Sequence, residues 1–335
     1  MDSGTSETPV EPIIVDIVAP SGSVVPWELD RGLNLLRERG LRPRLADGVH
    51  ERHFVFAGDD LRRAHGVWAA ACAPDSRIVW AARGGYGAAR ILPELHRLTR
   101  LHGLPPRKLL CGYSDITALH AFVRREWGWS TLHCDMPASA RFGLAGGDFA
   151  ATLRLVRGSS TADAEPAWAT APLDVYGRPP AGPIDGVLVG GNLTVLTSLV
   201  GTPFALPADR GRILFLEDVS EAPYRIDRYL NQLIQSGFFA GIDAVVLGTF
   251  DDCIDAPSQT TRPDGTVELS RPRLPYETWH RHVFTDLAER LGIPVFHTLP
   301  VGHGPERAPL PLHATARLTP GCPLVMLAWD WPEPT

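Results

Sequence analysis

The sequence predicts an α/β protein, with a parallel sheet covered by helices in its first half and a strand-rich second half reached through a connector. Three observations carry this. Short apolar runs alternate with helical patterns from Ile13 to Glu126, and such βα repetition builds parallel sheets with helices on their faces. Three turns rich in Gly or Pro, at Pro20-Ser-Gly22, Arg83 to Gly87 and Gly112 to Asp115, fall at the carboxyl ends of strands, where such sheets bind ligands. From about Gly147 to Pro183 the pattern dissolves into Ala, Pro, Gly and Thr, as a connection between domains does. The expected division is 1–150, a connector over 151–183, and 184–335.

Each element has its own reason. Ile13 to Ala19 is an apolar run that Pro20-Ser-Gly22 breaks. Between Pro26 and Arg39, Leu29, Leu33, Leu35 and Leu36 recur near helical spacing, and Gly40 supplies a stop. A short stretch near Arg44 to Ala46 follows. Gly58-Asp-Asp60 reads as the N-cap of a helix through Ala71, because an Asp side chain accepts the first free amides. Ile78 to Ala82 is a strand, Ala88 to Leu101 a helix, Leu109 to Cys111 a strand, and Asp115 to Glu126 a helix.

Beyond the connector, Val187 to Val189 leads through Gly190-Gly-Asn-Leu193 into a helix to Val200. Arg212 to Leu216 is a strand ending at Glu217-Asp218, and Tyr224 to Ser236 an amphipathic helix stopped by Gly237. Ala244 to Leu247 is a strand, Tyr276 to Leu291 a helix, and Val295 to Leu299 a strand before Val301-Gly-His303-Gly304. Ala314 to Leu318 and Val325 to Trp329 close the chain as strands, and residues 251–274 form a polar, Pro-rich excursion.

Composition narrows the function. With 335 residues, 44% of them hydrophobic and 21% charged, the chain holds a sizeable core in two domains or one large one. The net charge of -6 and the lack of a basic run argue against a nucleic-acid partner. The segment Met1 to Pro12 is acidic and polar, and no apolar run approaches about 18 residues. The expectation is a cytoplasmic protein without a membrane span. Five scattered cysteines with no Cys-x-x-Cys suit reduced thiols better than disulfides or structural zinc. Lys108 is the one lysine among 32 basic residues, so Schiff-base, P-loop and Ser-Lys chemistry would all have to use it, and no flanking motif supports them. It is expected as a solvated residue at a strand start.

Ser114, in Gly112-Tyr-Ser114-Asp115, sits on a tight strand-to-helix turn of the kind that presents a nucleophile beside free amides. By spacing alone, a helix-capping role is the commoner one for such a serine. Glu217 at a strand end and His303 in a glycine-flanked loop follow in the order Ser, acid, His seen in unrelated serine hydrolases. Glu217 could equally pair with Arg225 or Arg228, and His303 is one of 12 histidines, with His297 and His313 as competitors. Arg83-Gly-Gly-Tyr-Gly87 departs from phosphate-loop spacing, and Gly84 and Gly85 would let an amide approach an oxyanion.

Ala82-Arg-Gly-Gly-Tyr-Gly87, Gly112-Tyr-Ser-Asp-Ile-Thr117, Gly190-Gly-Asn-Leu193, Leu216-Glu-Asp-Val219 with Pro223-Tyr-Arg-Ile-Asp-Arg228, and Gly302-His-Gly304 with Pro309-Leu-Pro311 resemble, in order and approximate spacing, the serine LD-carboxypeptidases. That family holds the murein tetrapeptide carboxypeptidases and the microcin C immunity proteins. Val18-Ala-Pro-Ser-Gly22 and Ala57-Gly-Asp59 match as well, so the resemblance spans about residues 13 to 328. It implies a Rossmann-like, doubly wound N-terminal domain bearing the nucleophile, and a smaller mixed α/β, strand-rich C-terminal domain bearing the acid and base. It makes Ser114 the nucleophile, His303 the base and Glu217 its orienting acid. The Asp115 amide, with Gly84 or Gly85, would form the oxyanion hole.

The resemblance further implies no metal and no organic cofactor, a homodimer, and a small muropeptide cleaved between an L-centre and terminal D-alanine. Arg83 is the candidate for the substrate carboxylate, or alternatively a brace for its own loop. Tyr86 and Asn192 complete the expected substrate-binding set. Leu132-His-Cys-Asp135 and His313 depart from the family pattern and bear on pocket shape. An immunity-type hydrolase of peptidyl nucleotides is the alternative; it would want an aromatic side chain to stack a base, and Trp168 is the nearest candidate. A non-catalytic binding module would have no reason to keep all three triad residues.

Overall fold

The computed structural model describes residues 13–207, 209–254, 258–271 and 274–331. The first half follows the predicted alternation: β1 (Ile13–Val18), α1 (Pro26–Glu38), β2 (Leu41–Leu45), α2 (Asp60–Cys72), β3 (Ile78–Ala81), α3 (Ala88–His102), β4 (Leu109–Gly112), a 3-10 turn (Ser114–Ile116), α4 (Thr117–Trp127) and β5 (Ser130–His133). These strands run parallel in the order β5-β4-β3-β1-β2. The winding reverses between β1 and β3, the switch point at which a doubly wound sheet opens a crevice. Ile78 and Trp80 pack with Val15 and Ile17 beneath α1, whereas Val79 and Ala81 pack with Val18 and Leu110 beneath α2, α3 and α4. Strands buried on both faces need continuous apolar runs, and these have them. The expected cap is present, with Asp59 Oδ1 accepting the Arg62 amide at 2.7 Å.

Lys108 corrects an expectation. It is 1% exposed, and its Nζ donates to Ala70 O (2.6 Å), Ala73 O (2.7 Å) and Ser76 Oγ (2.8 Å). The lysine therefore caps the carboxyl end of α2, where a cation meets the helix dipole and the unpaired carbonyls. Burial lowers its pKa to about 8, with the Asp16 charge opposing.

The stretch expected as connector carries α5 (Phe149–Val156), α6 (Thr161–Ala164) and β6 (Asp174–Tyr176). Asp148 and Ser160 cap the two helices, accepting the Ala151 and Asp163 amides at 3.4 and 3.1 Å. There follow β7 (Ile184–Asn192), α7 (Leu193–Leu199), β8 (Arg212–Val219), α8 (Pro223–Gln235) and β9 (Ile242–Asp251). The polar excursion forms an antiparallel hairpin of β10 (Ser258–Thr261) and β11 (Val267–Arg271). Then come α9 (Tyr276–Leu291), β12 (Val295–His297), β13 (Leu310–Leu312), β14 (Thr315–Leu318) and β15 (Val325–Ala328).

The second sheet has the order β15-β14-β7-β8-β9-β12-β6, parallel from β7 to β12 and antiparallel at its edges. One face is covered by α7, α8 and α9 through Leu193, Leu196, Ile226, Leu230 and Phe284. The other face holds Ile213, Phe215 and Val246 against Leu310 and Leu312 of β13. Yet β13 hydrogen-bonds to β5, closing the first sheet with an antiparallel edge. One strand thus belongs to one sheet by its backbone and to the core of the other by its side chains. Each of those leucines is worth about 1.5–3 kcal/mol of burial. Among the described residues no helix is long and apolar enough to cross a membrane.

Candidate active site

β4 delivers Ser114 into the crevice through a turn that glycine and strain define. Gly112 has φ 149° and Ser114 itself φ 64°, a left-handed conformation that a non-glycine residue holds only where its surroundings insist. His120, on α4, backs the turn: its buried Nε2 lies 2.9 Å from Gly112 O and must donate, since a carbonyl only accepts. Burial drives the His120 pKa down to about 4, so the ring is neutral near pH 7.

The next residue pins three loops to one point. Asp115 is 5% exposed, and its Oδ2 accepts from Ser21 Oγ (2.6 Å), in the loop after β1, and from the Ala88 amide (2.8 Å), at the start of α3. Burial raises the Asp115 pKa, against the Ser21 and Ala88 donors and the Arg63 charge. Arg63, buried on α2, donates to Pro20 O and to Gly87 O, the latter at 2.9 Å, holding the same loops from beneath.

A Cβ on Gly84 would stand 3.1 Å from Ser114 Cβ and 3.3 Å from its Oγ, so the glycine loop approaches the hydroxyl as only glycine allows. The amides of Asp115, Gly84 and Gly85 take part in no hydrogen bond within the chain among the described residues.

Glu217 and His303 come from the second half. Glu217, at the end of β8, is wholly buried, and its Oε2 lies 2.6 Å from His303 Nδ1. A side chain at Gly302 (φ 133°) would meet Thr249 Oγ1 at 2.4 Å and Glu217 Cβ at 3.2 Å, so the loop reaches the acid because residue 302 is glycine. Thr249 Oγ1 accepts the Gly304 amide at 3.0 Å. Burial works against a charged His303 ring, but Glu217, with Asp218 and Asp251, outweighs it and the pKa is raised. The His303 ring lies 4.6 Å from the ring of Tyr113, the neighbour of Ser114. No hydrogen bond joins Ser114 Oγ to His303 in this structure.

The other expected residues fare differently. Asn192 is 4% exposed; its Oδ1 accepts the Val195 amide (3.1 Å), capping α7, and its Nδ2 donates to Asp218 Oδ1 (3.1 Å). Both ends of its side chain are engaged, so Asn192 caps α7 and ties it to Asp218. Arg83 is exposed, with Nη1 on Ser23 O at 3.1 Å. Tyr86 is 57% exposed at the rim, its ring 5.5 Å from Phe56. Trp168 is 2% exposed with Nε1 on Pro309 O at 2.7 Å, a core residue that cannot stack a base. Sequence reasoning missed Arg141, whose Nη1 donates to His303 O (2.9 Å) and Gly304 O (3.3 Å). It also missed Arg307, which is paired with Asp135 at 3.1 Å and donates to Gly304 O at 3.2 Å.

A strained serine thus follows a strand of one sheet, and a carboxylate-histidine pair lies at the strand ends of the other. The LD-carboxypeptidase N-terminal domain matches residues 15–134 and the LD-carboxypeptidase C-terminal domain residues 185–318. The chain belongs to the LD-carboxypeptidase family, as its motifs implied.

The murein tetrapeptide carboxypeptidase of Pseudomonas aeruginosa is 32% identical over 91% of this chain and 92% of its own. The solved muramoyltetrapeptide carboxypeptidase from Oxalobacter formigenes is 31% identical, with a TM-score of 0.71 over 95% of this chain and 99% of that one. The microcin C7 self immunity protein MccF, solved in complex with aspartyl sulfamoyl adenosine, has a TM-score of 0.69 at 19% identity, over 92% of this chain and 94% of its own. That last likeness is one of fold.

Proposed function

We propose that the chain is a serine LD-carboxypeptidase that cuts the bond between an L-configured centre, of diaminopimelate or lysine, and the terminal D-alanine of a murein tetrapeptide. One observation carries the reading: the buried Glu217 carboxylate holds His303 by Nδ1 at 2.6 Å, on the Ser114 side of the crevice. In this reading Ser114 Oγ attacks the scissile carbonyl carbon while His303 Nε2 takes the hydroxyl proton. The amides of Asp115 and of Gly84 or Gly85 receive the oxyanion. Collapse breaks the C–N bond, and His303 returns its proton to the amine of D-alanine. Water, deprotonated by the same ring, then cleaves the acyl-enzyme and restores Ser114. Hydrogen bonds of this kind tighten once substrate binds, which suits the separation of Ser114 from His303.

The murein names of the relatives and the burial of Trp168 support a peptide substrate over a nucleotide-bearing one. The proposal also holds that the enzyme is a cytoplasmic homodimer acting on recycled muropeptides, without metal or organic cofactor. Five cysteines outside any disulfide suit a reducing compartment. Residues 1–150 would carry the nucleophile, 151–183 the connector, and 184–335 the acid and base. Tyr86 at the rim would contact the stem peptide.

The test is release of free D-alanine from an L,D-linked tetrapeptide. Ser114→Ala should cut it by about 10⁴-fold or more while the fold stays intact; unchanged turnover would sink the serine mechanism. An aminoacyl sulfamoyl adenylate assayed beside the peptide tests the immunity-type alternative.

A further inference from the structure

A carboxypeptidase must recognise a chain end by its free carboxylate, and that places a geometric demand on the site. In the proposed reaction His303 hands its proton to the leaving amine. The carboxylate sits on the same α-carbon, two bonds of about 1.5 Å each from that nitrogen. The cation that receives it must lie on the histidine side of Ser114, away from the oxyanion amides. Arg83 is on the other side, next to Gly84, whose side-chain position would fall 3.3 Å from Ser114 Oγ.

Arg141 is on the histidine side. It is exposed and reaches the histidine loop from the segment after β5, its Nη1 on His303 O (2.9 Å) and Gly304 O (3.3 Å). Its Nε and Nη2 bond to nothing within the chain, and no carboxylate pairs with it among the described residues. That unused edge is a planar fork matched to a carboxylate. Arg307 is set aside by burial: it is 4% exposed, its Nε is on Asp135 and its Nη1 on Gly304 O and Pro305 O, and its unpartnered Nη2 is itself buried. Burial raises the pKa of the Tyr113 phenol, beside Ser114, and the Arg141 charge is among those opposing the rise, so it is felt at the site.

We propose that Arg141 binds the terminal carboxylate of the substrate through its Nε–Nη2 edge; the inference rests on the LD-carboxypeptidase reading. The full chain is assayed on two L,D-tetrapeptides that differ only in ending as D-alanine or D-alaninamide. Wild type should favour the acid by about 10- to 100-fold in kcat/KM, the worth of a charge-assisted pair. Arg141→Ala should bring the ratio near one, chiefly by raising KM for the acid, and Arg141→Lys should restore part of it. Arg83→Ala should leave it unchanged. Arg141→Gln serves as the second variant should alanine unsettle the loop.

A brace for the His303 loop would slow both peptides alike. A ratio that survives in Arg141→Ala therefore overturns the proposal and leaves the serine mechanism standing. A wild-type ratio near one, or loss of the ratio in Arg83→Ala, overturns it equally. Folded wild type that releases D-alanine or D-alaninamide from neither peptide overturns the underlying reading, and the proposal with it.

Discussion

At the residue scale, Glu217 sets the pH at which His303 can serve as the proposed base. Burial disfavours the protonated ring, but the adjoining carboxylate, in contact at 2.6 Å, outweighs it and raises the pKa. The ring must be neutral to take the serine proton, so kcat/KM should rise with pH through a midpoint above the ordinary histidine value of about 6.5. Glu217→Gln removes the charge, so that midpoint should move down while kcat falls by about 10²- to 10⁴-fold; a stationary midpoint in a pH 5–9 profile would refute the assignment. Glycines and strand ends drew attention to Ser114, Glu217 and His303, but spacing alone left a capping serine, an acid free to pair with Arg225 or Arg228 and one histidine of 12; the family resemblance gave them their proposed roles. Arg63, Arg141 and Arg307 were not legible, since the first two serve carbonyls distant in sequence and Arg307 pairs with the equally distant Asp135, and nothing about a lone Arg announces a partner loop. Lys108 misled for the same reason: the carboxyl end of α2 that it caps lies more than thirty residues upstream.

At the element scale, the Gly190-Gly-Asn192 end of β7 packs closely on β8 and on the start of α4. A Cβ on Gly190 would fall 2.0 Å from Phe215 O, and one on Gly191 2.5 Å from Thr117 Oγ1; Thr117 Oγ1 also accepts the Asn192 amide at 3.0 Å. Thr117 begins the helix that follows Ser114, so the packing of α7 beside α4 is coupled to the nucleophile turn. Gly191→Ala, at φ 141°, should cost about 2 kcal/mol or more of stability and lower D-alanine release with it. A urea midpoint and turnover both within error of wild type would remove this coupling. Most helices and parallel strands could be read from periodicity. The helices α5 and α6 could not, because composition hid their Asp148 and Ser160 caps. Neither could the pairing of β13, since three residues with Pro309 before them and Pro311 in their midst carry no record of a partner nearly 180 positions earlier.

At the scale of the whole molecule, buried neutral histidines should make the fold acid-labile. Burial lowers the pKa of His120 to about 4 and of His280 and His313 to about 3, and takes His133 well below the usual range. In the unfolded chain each titrates near about 6.5. The unfolded state therefore binds more protons between those limits, so this contribution is complete above pH 6.5 and is lost as pH falls toward 3. Asp218, raised to about 6 by burial and by Glu217, acts in the opposite sense over part of that window, as do Asp115 and Asp135 with their raised values. With His297 also lowered, five histidines act against these three carboxyls and the raised His303, so the urea midpoint should be lower at pH 5 than at pH 7.5; a midpoint that rose would contradict the balance.

The double allegiance of β13 bears on motion. Swinging the halves apart would break the ladder of Leu310–Leu312 with Thr131–His133 and drag Leu310 and Leu312 out of the opposite core. A hinge motion is thereby opposed. In the proposed reaction, torsion of the two side chains and of residues 302–305 would bring Ser114 Oγ within reach of His303, rotamers turning inside a closed frame.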